Sequence, residues 1–311
     1  MKLVSFVAKG RTRAGLFMED LGLYLDVAAV LSSTPDGTGT AVPTSVRGLI
    51  EMGDVGMRLA ARAERIARDL SASDPTTLAS SSFLVSELQL LPPVLHPSKV
   101  IAIGLNYRDH CEEQNVPLPE YPTVFAKFPS CLVGDGHPIV KPAETDSLDY
   151  EAELAFVVGR VAKNVPEEQA LDHVFGYMCF NDVTARDIQK GEKQWVRGKS
   201  FDTFGPCGPY LVTADQVGDP QSLGVECRVN GEIRQKGNTR DMVFGVAHLL
   251  SRLSRSFTLL PGDIVTTGTP AGVGIYSDPP RLLEAGDEVE ITIERLGTLR
   301  NRVETEYAPH P

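Results

Sequence analysis

Two glutamates one residue apart, in the run Asp149-Tyr150-Glu151-Ala152-Glu153-Leu154-Ala155-Phe156-Val157-Val158-Gly159, are the first side chains whose spacing suggests chemistry. In an extended strand, residues two apart project from the same face. Glu151 and Glu153 then point the same way, with Cα atoms about 6.6 Å apart at roughly 3.3 Å per residue. Ala152, Leu154 and Phe156 fill the opposite face. Like charges so close repel unless a cation lies between them, and a hard divalent ion with oxygen ligands is the natural one. Taken alone, the pair reads more simply as a solvent-facing strand edge.

It has company. Phe180-Asn181-Asp182-Val183-Thr184-Ala185-Arg186-Asp187-Ile188-Gln189 reads as a strand end turning into a helix over 183–190, with Asp182 at or near the N-cap. Asp182, Arg186 and Gln189 then share a helical face. The plain reading is a cap plus an i,i+4 ion pair. The functional one makes Asp182 a third metal carboxylate, with Arg186 and Gln189 offering donors to an anionic substrate. Lys199, within Trp195-Val196-Arg197-Gly198-Lys199-Ser200-Phe201-Asp202-Thr203-Phe204-Gly205-Pro206, sits in a loop that half-buries it. An ammonium there neutralises an enolate or carboxylate, or gives up a proton when desolvated.

His110 lies in Gly104-Leu105-Asn106-Tyr107-Arg108-Asp109-His110-Cys111-Glu112-Glu113-Gln114. In a short helix Glu113 falls one turn on, and a carboxylate beside an imidazole fixes its tautomer and raises its basicity, as a general base needs. His96, His137, His173, His248 and His310 have no comparable partners and read as structural or exposed. Thr266-Thr267-Gly268-Thr269-Pro270-Ala271-Gly272-Val273-Gly274 matches neither GxGxxG nor GxxxxGK[ST], and Pro270 interrupts the helix start a nucleotide loop requires. A tight loop whose backbone amides and Thr269 approach a small ligand fits better.

These residues need elements to hold them. Strand-sized apolar runs occur at 100–103, 123–128, 154–158, 209–213, 225–229, 263–267 and 288–293, with Val229-Asn230-Gly231-Glu232 as a hairpin turn. Helices are expected at 167–174, 183–190 and 242–253. Before them come apolar stretches at 2–7 and 16–27, a loop over 32–43, and a helix over 52–70 striped by Met52, Val55, Leu59, Ala63, Ile66 and Leu70. The expected organisation is a small α/β domain over 1–70, a Ser/Thr/Ala-rich linker over 71–98 closed by Pro92, Pro93 and Pro97, and a β-dominated unit over 99–311. The class is α+β.

The 311 residues carry 30 basic and 41 acidic side chains, a net charge of −11, which argues against nucleic acid as a partner. No apolar run approaches the roughly 20 residues of a membrane span, and Met1 to Lys9 is too short and interrupted for a signal sequence. Five widely spaced cysteines without CxxC argue against a disulfide framework or thiolate zinc site. A soluble protein of the reducing cytoplasm is expected.

Together and in order, Gly104 to His110, Tyr150 to Leu154, Asn181 to Gln189, Gly198 to Phe204 and Gly268 to Gly274 resemble the motifs of the fumarylacetoacetate hydrolase family. The resemblance is dense from Lys99 to about Thr298 and looser up to residue 70. Cys111-Glu112-Glu113-Gln114-Asn115-Val116-Pro117 and the length are most similar to its domain-containing protein 2 branch.

The resemblance implies a mixed β-sandwich roll for the C-terminal unit, Mg²⁺ (or Mn²⁺ or Ca²⁺) on Glu151, Glu153 and Asp182, and a homodimer. It also implies a lid-borne dyad of His110 and Glu113, an active-site Lys199, and substrate contacts from Arg186, Gln189 and Thr269. The founding enzyme has a further metal-binding aspartate upstream of its histidine. Residues 100–106 hold no acid here, so water is expected to complete the shell. The expected reaction is C–C hydrolysis of a β-diketo acid of the acylpyruvate type. His110 activates water, and the departing enolate is stabilised by the metal and Lys199. The alternatives are oxaloacetate tautomerase or decarboxylase, and 2-hydroxyhepta-2,4-diene-1,7-dioate-type isomerase. A catalytically dead binding homologue would lack at least one of Glu151, Glu153, Asp182, Lys199 or His110, and all five are present.

Overall fold

Apolar side chains on alternating positions make strands of Lys2–Ala8 (β1), Arg11–Met18 (β2) and Leu23–Asp26 (β3), followed by helices Val27–Ser33 (α1), Val46–Glu51 (α2) and Asp54–Ser73 (α3). The computed structural model describes residues 1–33 and 41–306. Most of the loop expected over 32–43 therefore lies outside the described residues, as does His310, while Ser32 and Ser33 end α1.

Helix α3 forms where expected, and Leu59, Ala63, Ile66 and Leu70 of the expected stripe face the core, but its most buried line is one of small residues and Val55 lies outside it. Gly56, Ala60, Ala63 and Ala67 are buried, Leu59, Ile66 and Leu70 flank them half-buried, and Val55 is exposed. The helix approaches α2 so closely that a Cβ on Gly56 would lie 2.0 Å from the Leu49 carbonyl oxygen. Only small side chains fit that seam.

The segment 71–98 carries structure of its own: Pro75–Ala79 (α4), Ser82–Leu84 (β4) and Leu90–Leu91 (β5). Its hydroxyl-rich composition serves local bonding. Asp74 Oδ1 caps α4 by accepting from the Thr77 N–H at 3.1 Å, and the Ser80 and Ser82 hydroxyls donate to the Thr77 and Leu78 carbonyls.

Beyond it run Val100–Gly104 (β6), Arg108–Glu113 (α5), Thr123–Lys127 (β7), Leu132–Val133 (β8), Ile139–Lys141 (β9), Leu148–Asp149 (β10) and Ala152–Val158 (β11). Next come Val174–Asn181 (β12), Thr184–Ala185 (β13), Arg186–Gly191 (α6), Trp195–Gly198 (α7), Gly205–Thr213 (β14) and Ala214–Val217 (α8). The chain ends with Gly224–Val229 (β15), Glu232–Asn238 (β16), Val246–Ser256 (α9), Ile264–Thr266 (β17), Glu288–Ile293 (β18) and Gly297–Thr305 (β19). The turn between β15 and β16 has Asn230 at φ 53° and Gly231 at φ 79°, the two left-handed residues of a type I′ hairpin.

The large sheet runs β4-β3-β2-β1-β14-β12-β11-β17-β6-β7, with β5 on β1 and β8 on β14. The N-terminal strands thus continue the C-terminal sheet through the β1–β14 pair. A second sheet, β16-β15-β18-β19-β9, covers one face, and helices α1 to α3 cover the other. Strand β11 shows why: Leu154 and Phe156 join the core against the second sheet, whereas Ala155 and Val157 join the core against the helices. The fold is a strand-rich, mixed α+β architecture with a small N-terminal domain.

Three helices differ from expectation. Residues Glu167–His173 form a 3₁₀ helix. The helix expected from 242 starts at Val246, because the Val243 N–H instead donates to the Asn106 carbonyl at 2.7 Å. The helix expected from 183 starts at Arg186, because Thr184 and Ala185 pair with Asp149 and Leu148. His248 does have a carboxylate neighbour, Glu167 at 3.0 Å on the surface. All five cysteines are free and buried, and no described helix is long and apolar enough to cross a membrane.

Candidate metal and substrate site

The antiparallel ladder of β11 and β12 closes at the pair Ala152–Asn181. One step beyond it, the Asp182 N–H donates to the Glu151 carbonyl at 2.9 Å and the Glu151 N–H donates to Asn181 Oδ1 at 3.0 Å. Glu151 and Asp182 therefore face each other across the ladder's end, with Glu153 two residues inward on the same side. One oxygen from each of the three lies within 4.8 Å of the others, and all three side chains are buried. Strand β11 is an inner strand between β12 and β17, so the solvent-edge reading of the glutamates does not hold.

Asp182 caps no helix; it lies between β12 and β13 and does not pair with Arg186. Lys199 Nζ donates to Asp182 Oδ2 and Glu151 Oε2, each at 2.8 Å, and Lys127 Nζ donates to Asp182 Oδ1 at 2.6 Å and to the Lys199 carbonyl. Arg186 turns the other way. Its Nε donates to Asp149 Oδ2 at 2.8 Å and its Nη1 reaches Glu151 Oε1 at 2.7 Å and Gln189 Oε1 at 3.3 Å. Its Nη2 is buried without a hydrogen-bond partner.

These contacts set the charges. Burial pushes the Glu151 carboxyl up, but Lys199, Arg186 and His110 outweigh it and hold it at about 2. Burial lowers Lys199, and Asp182 and Glu151 more than restore it, so the side chain stays an ammonium and not the proton donor that desolvation alone would make it. Glu153 moves the opposite way, well above the usual carboxylate range, pushed by burial and then by Asp182 and Glu151. Its Oε2 accepts the Gly268 N–H at 2.9 Å, and the Lys199 charge and the Thr266 hydroxyl offset the rise only in part. Four buried carboxylates, Asp149, Glu151, Glu153 and Asp182, meet three buried cations, Lys127, Arg186 and Lys199. Glu153 is the acid left over, and a hard divalent cation bound by oxygen ligands suits that donor set.

A cavity of about 210 Å³ opens above the carboxylates, lined among others by His110, Glu151, Glu153, Arg186, Gln189, Lys199 and Thr269. Asp182 and Glu113 stand just behind. His110 Nδ1 lies 2.8 Å from Glu113 Oε2, and its Nε2 lies 2.7 Å from Gln114 Nε2. With Nδ1–H donating to the Glu113 carboxylate, Nε2 accepts from the Gln114 amide. Glu113 Oε1 accepts the Gly272 N–H at 2.8 Å, and the Tyr276 hydroxyl donates to Gln114 Oε1 at 3.2 Å. Helix α5 is thereby latched onto the loop after β17. The Thr269 hydroxyl donates to the Ala152 carbonyl at 2.9 Å and accepts from Gln235 Nε2 at 2.7 Å. Gly268, at φ 89°, lets this loop in, since a Cβ there would sit 2.8 Å from that of Asn106.

A family model described as fumarylacetoacetate (FAA) hydrolase, C-terminal, matches residues 99–304. The chain belongs to the fumarylacetoacetate hydrolase family. It is 44% identical over 309 residues to a Xenopus laevis protein named oxaloacetate tautomerase fahd2, mitochondrial, covering 97% of this chain and 90% of that one. It is 44% identical over 264 residues to human oxaloacetate tautomerase FAHD2A, mitochondrial, covering 84% and 80%. Among solved structures, the fumarylacetoacetate hydrolase of Exiguobacterium antarcticum matches at 38% identity and a TM-score of 0.79, covering 98% of this chain and all (100%) of that one. A 2-hydroxyhepta-2,4-diene-1,7-dioate isomerase of Mycobacterium marinum matches at 32% and 0.72, covering 99% and 100%. The chain is a family enzyme with an acidic site suited to a divalent metal.

Three side chains escaped the sequence reading. Asp149 has the same odd parity as Glu151 and Glu153, and that was its signal. Lys127 shares strand parity with Phe125, which lines the cavity, so an inward lysine was legible in Thr123–Lys127. Gln114 follows the dyad directly and had no signal of its own.

Proposed function

We propose that the protein interconverts the enol and keto forms of a short 2-oxo dicarboxylic acid of the oxaloacetate type. The observation carrying this reading is 44% identity, over 97% of the chain, to a protein named oxaloacetate tautomerase. It moves the preference from C–C hydrolysis, which the sequence alone put first, to its alternative. The cavity supports it: about 210 Å³ is below the roughly 300–1,000 Å³ of pockets for larger ligands.

In this reading Arg186 Nη2, the guanidinium nitrogen without a partner, takes the substrate's C1 carboxylate. Lys199 supplies a fixed positive charge beside the oxygen that carries the enolate. A proton leaves the enol oxygen and another reaches C3, so the step needs neither water nor a co-substrate. His110 Nε2 exchanges Gln114 for that proton, while Glu113 holds the ring's tautomer. A divalent ion on Glu151, Glu153 and Asp182, with Mg²⁺ the expected one, would supply Lewis-acid stabilisation of the same oxygen.

The working unit is proposed to be a homodimer joined at β7. Its outer edge is unpaired among the described residues, and Tyr121, Val124 and Phe128 are exposed beside it. The free, buried cysteines support a reducing compartment.

The test is the decay of enol-oxaloacetate absorbance with purified protein and Mg²⁺, beside cleavage of acetylpyruvate. Accelerated decay that EDTA abolishes is expected. Decay at the uncatalysed rate while acetylpyruvate is cleaved would overturn the reading in favour of hydrolysis.

A further inference from the structure

Helix α6 presents Arg186, Gln189 and Lys190 at i, i+3 and i+4, which places them along one side of the helix. All three line the cavity. Arg186 is buried on the floor, bonded to Glu151, whereas Lys190 is exposed about 6 Å further along the helix axis at 1.5 Å per residue. The Lys190 ammonium stands 5.2 Å over the ring of Tyr276, the residue that latches Gln114 beside His110. Lys193, exposed and with left-handed backbone at φ 63°, lines the same mouth from the turn after α6.

Neither lysine has an ion-pair partner among the described residues. Every other mobile cation around the cavity is already engaged: Lys199 with Glu151 and Asp182, Arg186 with Asp149 and Glu151. The acids lining the cavity are Glu151 and Glu153, both on the floor. In a chain of net charge −11, the mouth is locally basic. Such a local reversal concentrates anions at the opening.

We infer that Lys190 and Lys193 form a second carboxylate subsite, so that the cavity selects a dianion held by Arg186 at one end and the rim lysines at the other. The inference rests on the proposed 2-oxo dicarboxylic acid chemistry and assigns the residues that would hold the second carboxylate. Monocarboxylates of the same length would fill the floor and leave the mouth unmatched. The subsite adjoins Tyr276, so an anion there also lies against the latch that holds α5.

Trp195, the single tryptophan of the chain, lines the cavity and reports binding by its fluorescence. The probes are malate and 2-hydroxybutanoate in Mg²⁺ buffer, a dicarboxylate and its monocarboxylate counterpart, neither of which has a keto–enol pair. The native chain is expected to bind malate at least about tenfold more tightly, the effect of one charge-assisted contact. Lys190→Met with Lys193→Met removes that preference and Lys190→Arg with Lys193→Arg keeps it, while 2-hydroxybutanoate binding is unchanged. Equal binding of the two probes by the native chain, or an undiminished preference in the methionine variant, overturns the subsite. Enol-oxaloacetate turnover is followed in parallel. Its absence together with a lysine-dependent malate preference would sink the tautomerase reading and leave the subsite standing.

Discussion

Lys127 and Asp182 form a fully buried ion pair, Nζ to Oδ1 2.6 Å, across 55 residues of sequence. It fixes the carboxylate from behind while Lys199 takes the other oxygen, so Asp182 cannot rotate away from Glu151. Lys127→Met keeps the apolar stem but removes the charge. A loss of about 3–5 kcal/mol is expected, because breaking a buried pair strands one ion. Urea unfolding of the metal-free protein measures it; a change below about 1 kcal/mol would show that Asp182 does not depend on this lysine.

Burial, and then Asp182 and Glu151, push the Glu153 carboxyl well above the ordinary carboxylate range in the metal-free protein. A carboxyl raised in the folded state stabilises at low pH, and that contribution is lost as pH rises from the unfolded value through the folded one. Metal competes with a proton for a carboxyl so raised, so affinity is expected to climb with pH through the same window. Mn²⁺ titration calorimetry in buffers of different ionisation heat should register proton release. Glu153→Gln should weaken Mn²⁺ by more than about a hundredfold, beyond the loss of an outer-shell group. Its metal-free form should be no less stable than the parent. Tight Mn²⁺ binding by that variant would remove Glu153 from the ligand set.

Arg186→Lys removes the forked donor set and the free Nη2. Since the substrate carboxylate keeps its charge through proton transfer, the loss should fall mainly on KM. A fall in kcat/KM of roughly ten- to a hundredfold is expected, the scale of one lost charge-assisted hydrogen bond. Steady-state rates with enol-oxaloacetate decide it. A kcat defect at unchanged KM would place Arg186 at the reacting atoms instead.

The exposed β7 edge is where a second copy is expected to dock. Val124→Asp with Phe128→Asp puts charge on two side chains that are 46% and 55% exposed in the single chain, so the fold should tolerate it. Light scattering should show dimers of the parent and monomers of the variant. Dimers of unchanged tightness would move the interface elsewhere.

Much of the site was legible because it is local. Glu151 and Glu153 share a face through the two-residue period of a strand, and His110 and Glu113 meet through one helical turn. The order of the motifs carried the family and, with it, the strand-rich class. Asp182 was found for the wrong local reason: the strand β13 intervenes, so it is a cross-strand neighbour of Glu151 and not a helix cap. Helix α3 shows the same limit, since its large apolar side chains marked the core-facing side but its close seam with α2 placed Gly56, Ala60, Ala63 and Ala67 deepest.

Composition, strand and helix periods and motif order thus determined which acids, which dyad and which fold class this protein has. Only the tertiary structure decided what each charge leans on: Lys127 behind Asp182, Asp149 behind Arg186, Gln114 against His110, and the Gly268 amide against Glu153. Local spacing sets the direction of a side chain. Pairing over tens of residues depends on which strands become neighbours in the sheet, and burial then turns those pairings into the site's electrostatics.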